Sequence, residues 1–357
     1  MSRVAPLSQQ PALNRPSLSL RTSTLDASDE AGIRVTIRRH GRSKPATWQE
    51  LHSLDWSNFG LVLGGGGVTG LAFEAGVLLG LSVDHGVELS AANELVGTSA
   101  GSIVAAFIAL GLDSGDLAAL VAGVPEEFSS RAIGLHPWFE PEVTPAMPHL
   151  LKILRPQGPR DMFTLTRFAL RRQYRAAMLH LLRDGSFDMR ASIGFFDGQP
   201  WPRDLRLRIC VTNASSGSRV LLGADDGIEL VDAVLASCAV PTVMRSVHIG
   251  PHSYLDGGVV SPTSADVLAG DPACELVVVV SPMSGNAART VPGRVGSHFA
   301  AGRLRRELTA FDPDQTVVVI EPVGDLSKLV VDDSLSGGAV KEILRSAFTL
   351  ASYGGDR

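Results

Sequence analysis

The sequence predicts an α/β fold, a mostly parallel central sheet flanked by helices, with a helical insert. Short apolar runs recur at Leu61–Leu63, Glu94–Val96, Leu205–Val211, Leu276–Val280 and Thr316–Ile320. The first two alternate with helical patterns, strand–helix–strand–helix within about fifty residues, the repeating unit of a parallel sheet. The last two are β-branched and apolar throughout, as strands buried on both faces are.

Taken in order, residues 1–32 form a flexible leader. Six serines and three prolines fall within residues 1–30, with no apolar core of a secretion signal. Residues 33–357 make one domain, with an organised core at 60–285. Arg34–Arg39 alternates apolar and basic residues, an edge strand with a solvated basic face. Leu61-Val62-Leu63 is a buried strand closed by Gly64 to Gly67, and a helix follows over Val68–Val83. After the strand Glu94–Val96, Gly97-Thr98-Ser99-Ala100-Gly101 turns the chain into an apolar helix, Ser102–Leu112.

Residues 125–200 are an insert of different character. Prolines cluster at 137, 141, 145 and 148, and a helix is predicted over Phe163–Arg183. Between Leu151 and Arg190, nine basic residues stand against three acids. Arg167, Arg171 and Arg175 share one helical stripe. Segment 152–183 therefore reads either as an interfacial helix on an anionic membrane surface or as a core-packed helix with a solvated basic face. Phe195, Phe196 and Trp201 line an acyl pocket or simply pack. Beyond the insert come strands Leu205–Val211 and Arg219–Leu222, a helix Val231–Ser237, and flanking helices Phe299–Phe311 and Gly338–Ala351.

Composition narrows the function classes. Hydrophobic residues make up 45% and charged residues 19%, with a formal net charge of -5, which fits a globular protein and disfavours nucleic acid as partner. Cys210, Cys238 and Cys274 sit in apolar stretches without CxxC spacing, so they read as free, packed thiols in a reducing, cytoplasmic setting. The longest apolar stretch, Ile103–Leu112, is ten residues. A span needs about 20, so contact with membranes is expected to be peripheral.

Gly97-x-Ser99-x-Gly101 between a strand and a helix suits a nucleophile elbow. Small flanks let backbone pass close, and a helix N-terminus favours developing negative charge. The plain alternative is a helix cap, with Thr98 or Ser99 at the N-cap. The loop Gly64-Gly65-Gly66-Gly67-Val68-Thr69-Gly70 also has two readings. It fits G-x-G-x-x-G with Glu88 placed for a ribose hydroxyl, or its bare amides form an oxyanion hole at Gly65, Gly66 and Gly67. The serine turn on the next strand favours the second, since it puts nucleophile and donors together at one sheet edge.

A serine hydroxyl needs a base. None of the nine histidines stands in an obvious catalytic setting. His248 and His252 flank Gly250-Pro251 and do not form a helical metal pair, and no cofactor is called for. Asp256-Gly257-Gly258, after the apolar Tyr254-Leu255, offers a carboxylate ionised at neutral pH, or an ordinary Asp-Gly turn. Asp225-Asp226 and Asp332-Asp333 read as solvated loops.

Together, Gly65 to Gly70, Gly97 to Gly101, Asp256-Gly257-Gly258 and the preceding Ala236-Ser237-Cys238-Ala239-Val240-Pro241 resemble the patatin-like phospholipase family, over roughly Leu61 to Ser281. The resemblance implies a three-layer sheet with a Ser–Asp dyad and no histidine or metal. Ser99 matches the nucleophile, Asp256 the base, and Gly66 and Gly67 the oxyanion donors, with Gly65 beside them. It implies hydrolysis of lipid or simple acyl esters. One departure stands out. The family's loop usually carries Arg or Lys before its last glycine, where this chain has Thr69, and that points to neutral esters over phospholipids. Competing readings are a conventional hydrolase pairing Ser99 with His298, and a non-catalytic lipid-binding scaffold.

Overall fold

In the computed structural model, residues 32–123, 174–203, 206–285, 287–332, 334 and 337–352 are described. The strands are β1 (Ile33–Arg39), β2 (Arg42–Ala46), β3 (Phe59–Leu63), β4 (Glu94–Thr98), β5 (Arg206–Asn213), β6 (Arg219–Leu222), β7 (Val247–Ile249), β8 (His252–Asp256), β9 (Leu276–Val280) and β10 (Thr316–Pro322). The helices are α1 (Trp48–Leu51), α2 (Gly67–His85), α3 (Ala100–Ala109), α4 (Ser114–Ala122), α5 (Tyr174–Leu181), α6 (Leu230–Ser237), α7 (Val291–Glu307), α8 (Gly324–Asp332) and α9 (Val340–Ser352).

The strands join one sheet in the order β2-β1-β10-β9-β3-β4-β5-β8-β7, with β6 also on β5. Its centre, β10-β9-β3-β4-β5, is parallel throughout. Antiparallel strands close both sides, β1 and β2 next to β10, and β8 and β7 beyond β5. Strand alternation divides the core in two. Leu61, Leu63, Leu95, Ile209, Val278 and Ile320 face helices α2, α3, α4 and α9. Val62, Val96, Cys210, Val277, Val279 and Val319 face the opposite layer, with Leu304 of α7 and Phe311. Both faces are covered, which is why these strands are apolar at every position.

Helix α2 is longer than the sequence reading allowed. It runs 19 residues and is long and apolar enough, by length and composition alone, to cross a membrane. Its residues from Thr69 to Leu81 are all buried, however, so it is a core helix. Helix α9 lies directly on it: a Cβ at Gly80 would collide with that of Ala351. Glycine there lets the two backbones approach.

Other expectations need correcting. Strand β1 is not an edge, because the unforeseen β2 pairs on its outer side. Nor is its basic content all solvated: Arg38 is buried and donates to the carbonyls of Phe311 and Asp312. The helix expected over Phe299–Phe311 begins at Val291, capped by Thr290 with Pro292 in its first turn. Asp332 is no loop acid. It ends α8, and its carboxylate accepts from the amides of Arg289 and Thr290 and from the Thr290 hydroxyl. Asp226 accepts from the Gly223 amide in a short 3-10 turn. The three cysteines are free and buried, as their apolar settings implied.

The leader, Arg167, Arg171, Arg172 and most of segment 152–183 lie outside the described residues. Within it, α5 is helical as expected, and Arg175 turns its guanidinium to the Gly217 carbonyl, 2.9 Å away. Phe196 packs in the core against Phe107, Phe195 is partly exposed, and Trp201 donates to the Ile228 carbonyl.

Candidate active site

Sheet register brings the motifs to one level. Leu63 pairs with Gly97, Thr98 with Cys210, and Val211 with Asp256. The glycine loop, the serine turn and the aspartate thus leave three strands at the same height on the carboxyl edge of the parallel centre.

Ser99 occupies that edge with φ 52° and ψ -122°, a conformation that costs about 1–3 kcal/mol and persists only where the surroundings impose it. The turn is tight enough that a Cβ at Gly101 would collide with the Leu63 carbonyl oxygen. Although Ser99 stands at the N-cap of α3, its side chain makes no capping bond. Instead its Oγ donates to Asp256 Oδ2 at 2.7 Å. The cap alternative is thereby set aside.

Asp256 is held on all sides. Its Oδ1 accepts from the Gly258 amide at 2.7 Å, its own amide donates to Ala239, and its carbonyl accepts from Thr212 Oγ1. It forms an Asp-Gly turn as well as a partner for the serine, because the Gly258 bond that makes the turn fixes the carboxylate. Burial raises its pKa to about 6, and the bonds from Ser99 and Gly258 offset only part of that shift. Burial also pushes the neighbouring Cys238 thiol far up, with the Asp256 charge adding to the effect.

The glycine loop lies against the nucleophile, with Gly65 facing the Ser99 Cβ. Its amides divide into two groups. Those of Gly64 and Gly65 are committed to the carbonyls of Val280 and Pro262, at 3.0 and 2.6 Å. Gly65 therefore anchors the loop and is not an oxyanion donor, a correction to the sequence reading. Gly66 and Gly67 open α2, where the first amides have no helical acceptor. No loop carbonyl takes them among the described residues. The dinucleotide alternative fails on distance: Glu88 lies beyond the far end of α2, about 28 Å away at 1.5 Å per residue.

The sequence motif assigns no role to one contributor. Ser237, the last residue of α6, is fully buried in the Ala236–Pro241 segment. Its Oγ accepts from the Ser99 amide and donates to the Cys210 carbonyl, both at 2.8 Å. The nucleophile's backbone is thereby tied to the neighbouring strand. His298, the alternative base, is exposed on α7, and no hydrogen bond joins it to Ser99 or Asp256.

Thr69 explains its departure from the family pattern. It is fully buried and donates to the Val330 carbonyl of α8 at 2.7 Å, while the Val68 amide donates to Ser334. The C-terminal segment occupies the flank where a basic side chain would need room.

No curated protein matches the chain. Among solved structures it is similar to VipD from Legionella pneumophila, with 14% identity and TM-score 0.35, over 73% of this chain and 55% of that one. It is likewise similar to the type III effector protein ExoU, with 16% identity and TM-score 0.36, over 83% and 52%. The chain thus spans about half the length of either. The patatin-like phospholipase family model matches residues 61–269, from the strand feeding the glycine loop to the segment beyond Asp256, and the chain belongs to that family.

Proposed function

We propose that this protein is a lipid acyl hydrolase working through a Ser99–Asp256 dyad. The observation that carries the reading is the 2.7 Å bond from Ser99 Oγ to Asp256 Oδ2, made by a serine held in the left-hand half of backbone space. Membership of the patatin-like phospholipase family supports lipid acyl hydrolase activity in general.

In this mechanism Asp256 Oδ2 takes the Ser99 proton as Oγ attacks the ester carbonyl. The amides of Gly66 and Gly67 receive the developing oxyanion, where loss of one donor costs about 2.7–4 kcal/mol. Asp256 then passes the proton to the leaving alkoxide, which departs as the alcohol and leaves an acyl-Ser99. Water, deprotonated by the same carboxylate, attacks the acyl carbon, and the proton returns to Ser99 Oγ as the fatty acid leaves. A base with a pKa of about 6 is ionised at neutral pH yet more basic than a free aspartate, which suits both proton transfers.

The buried, hydroxyl-bearing position 69 supports a substrate with little headgroup charge. A neutral glyceride or simple ester should turn over faster than an anionic phospholipid, and the opposite ranking would count against this preference.

A fluorophosphonate probe with mass spectrometry tests the dyad. Labelling should fall on Ser99, quicken as pH rises through about 6, and drop sharply in Asp256→Asn. Labelling undiminished in that variant would move the base elsewhere, with His298 the first suspect.

A further inference from the structure

Helix α7 has two unlike faces. Gly293, Ser297, Ala300, Leu304 and Glu307 are buried and pack toward the sheet. On the opposite side Val291, Val295 and Phe299 are 63%, 66% and 42% exposed. They stand four residues apart, so they form one column. A single exposed apolar side chain is ordinary, but a column of them is not.

Charge accompanies the column. Arg294, His298 and Arg305 are exposed along one flank, and Arg306 is exposed at its far end. From Arg289 to Glu307 five arginines stand against one acid, in a chain of formal net charge -5. Among the described residues, Glu307 is turned inward, to the Ala265 amide and toward Arg303. Asp332 caps the start of the helix. Elsewhere α5 exposes Tyr174 and Met178 one turn apart, and its Arg175 feels the charge of Arg303.

Helix α7 also runs close to the candidate site. Gly296 lies against Met283, and the preceding Pro282 packs on Gly66 and Gly70 of the glycine loop. At the helix start, Thr290 is bonded to Asp332 of α8, whose Val330 holds Thr69.

We propose that the exposed face of α7 docks on an anionic lipid bilayer. Val291, Val295 and Phe299 enter the boundary between headgroups and acyl chains, and the arginines lie on the headgroups, the pattern of an interfacial helix. Its benefit to catalysis, lipid delivered beside the glycine loop, rests on the hydrolase reading; the docking itself does not.

The test is flotation of the full chain with phosphatidylcholine vesicles, with and without added phosphatidylglycerol. The protein should float with the anionic vesicles and be released by salt. Val291→Ser, Val295→Ser and Phe299→Ser together, or Arg294→Glu, Arg305→Glu and Arg306→Glu together, should weaken binding about tenfold or more. All six positions are exposed, so the fold should persist. Fluorophosphonate labelling of Ser99 should be unchanged in both variants, while turnover of vesicle-borne ester falls with binding. The proposal is overturned if wild type ignores anionic vesicles or if both variants float as wild type does. It is equally overturned if the apolar variant only turns a dimer into a monomer, since the face would then bind a second copy. Absent Ser99 labelling in wild type would sink the hydrolase reading while leaving flotation intact.

Discussion

Replacing Asp256 by Asn should make the protein more stable and less active, and the gain should depend on pH. The folded carboxyl has a pKa of about 6 against 3.8 for the free group, chiefly through burial. The gap of about two units corresponds to about 3 kcal/mol. Because the pKa is raised on folding, the native state binds the proton more tightly than the unfolded chain. Stability is therefore greatest below the unfolded value and falls as pH rises from about 4 to about 6, by up to that amount. Asparagine does not ionise, and it fits the existing geometry. Its carbonyl oxygen can accept from Gly258, and its amide can donate to Ser99 Oγ, reversing the bond that activates the serine. The assay is urea unfolding of both proteins across pH 4 to 8. The stability of Asp256→Asn minus that of wild type should rise through the window by about 3 kcal/mol and then level off. Glu74 and Glu307 are also raised by burial, but they titrate in both proteins and cancel in the difference. A difference that stays flat with pH would refute the argument, because Asp256 would then not be a buried carboxylate ionised at a cost.

Two further substitutions probe the supports of the site. Ser237→Ala leaves the Ser99 amide and the Cys210 carbonyl buried without their shared partner. It should destabilise the protein by about 1–3 kcal/mol and lower kcat about tenfold with KM little changed, while Ser237→Thr, which keeps the hydroxyl, should recover much of the loss. A fall in stability with kcat intact would reduce Ser237 to a packing role. Thr69→Lys, which restores the family's usual charge, should not improve turnover of phospholipid. It places an ammonium in a fully buried position beneath α8 and should cost about 3 kcal/mol or more in unfolding experiments. A stable Thr69→Lys protein would mean that the C-terminal segment moves aside readily.

The chemistry of this site was legible where it depended on local spacing. A strand followed by four glycines, a strand followed by Gly-x-Ser-x-Gly, and an Asp-Gly-Gly turn each announce their own backbone geometry, and the structure brings all three together. What remained hidden was set by distant parts of the chain. The commitment of the Gly65 amide depends on Pro262, nearly two hundred residues away, and nothing in a glycine run tells which amides will be used to hold it. Strand β1 read as an edge because β2, Arg-Ser-Lys-Pro-Ala, carries no apolar alternation. Its place follows from antiparallel pairing with β1 alone. Helix α2 reads as Val68–Val83 because Gly67 and Asp84-His85 at its ends carry no apolar residue to extend the pattern, and the purpose of its inner glycines is visible only once α9 is seen lying on them.

Register and burial together set how the proposed machine works. Three strand ends at one level give Ser99 two kinds of neighbour. On the side of β5 and β8 are the groups that manage its proton and its backbone. Asp256 accepts the hydroxyl and Ser237 holds the amide. On the side of β3 is the glycine loop, tied down through Gly64 and Gly65, while among the described residues no loop carbonyl takes the amides of Gly66 and Gly67. The Ser99 amide is already bonded to Ser237, so it is not available to an oxyanion. Thr69 and Val68 bond that loop to the C-terminal segment through Val330 and Ser334. A chain ended before α8 should accordingly retain the Ser99–Asp256 pair in sequence but lose catalysis, because the donors that the reaction needs would no longer be held in place.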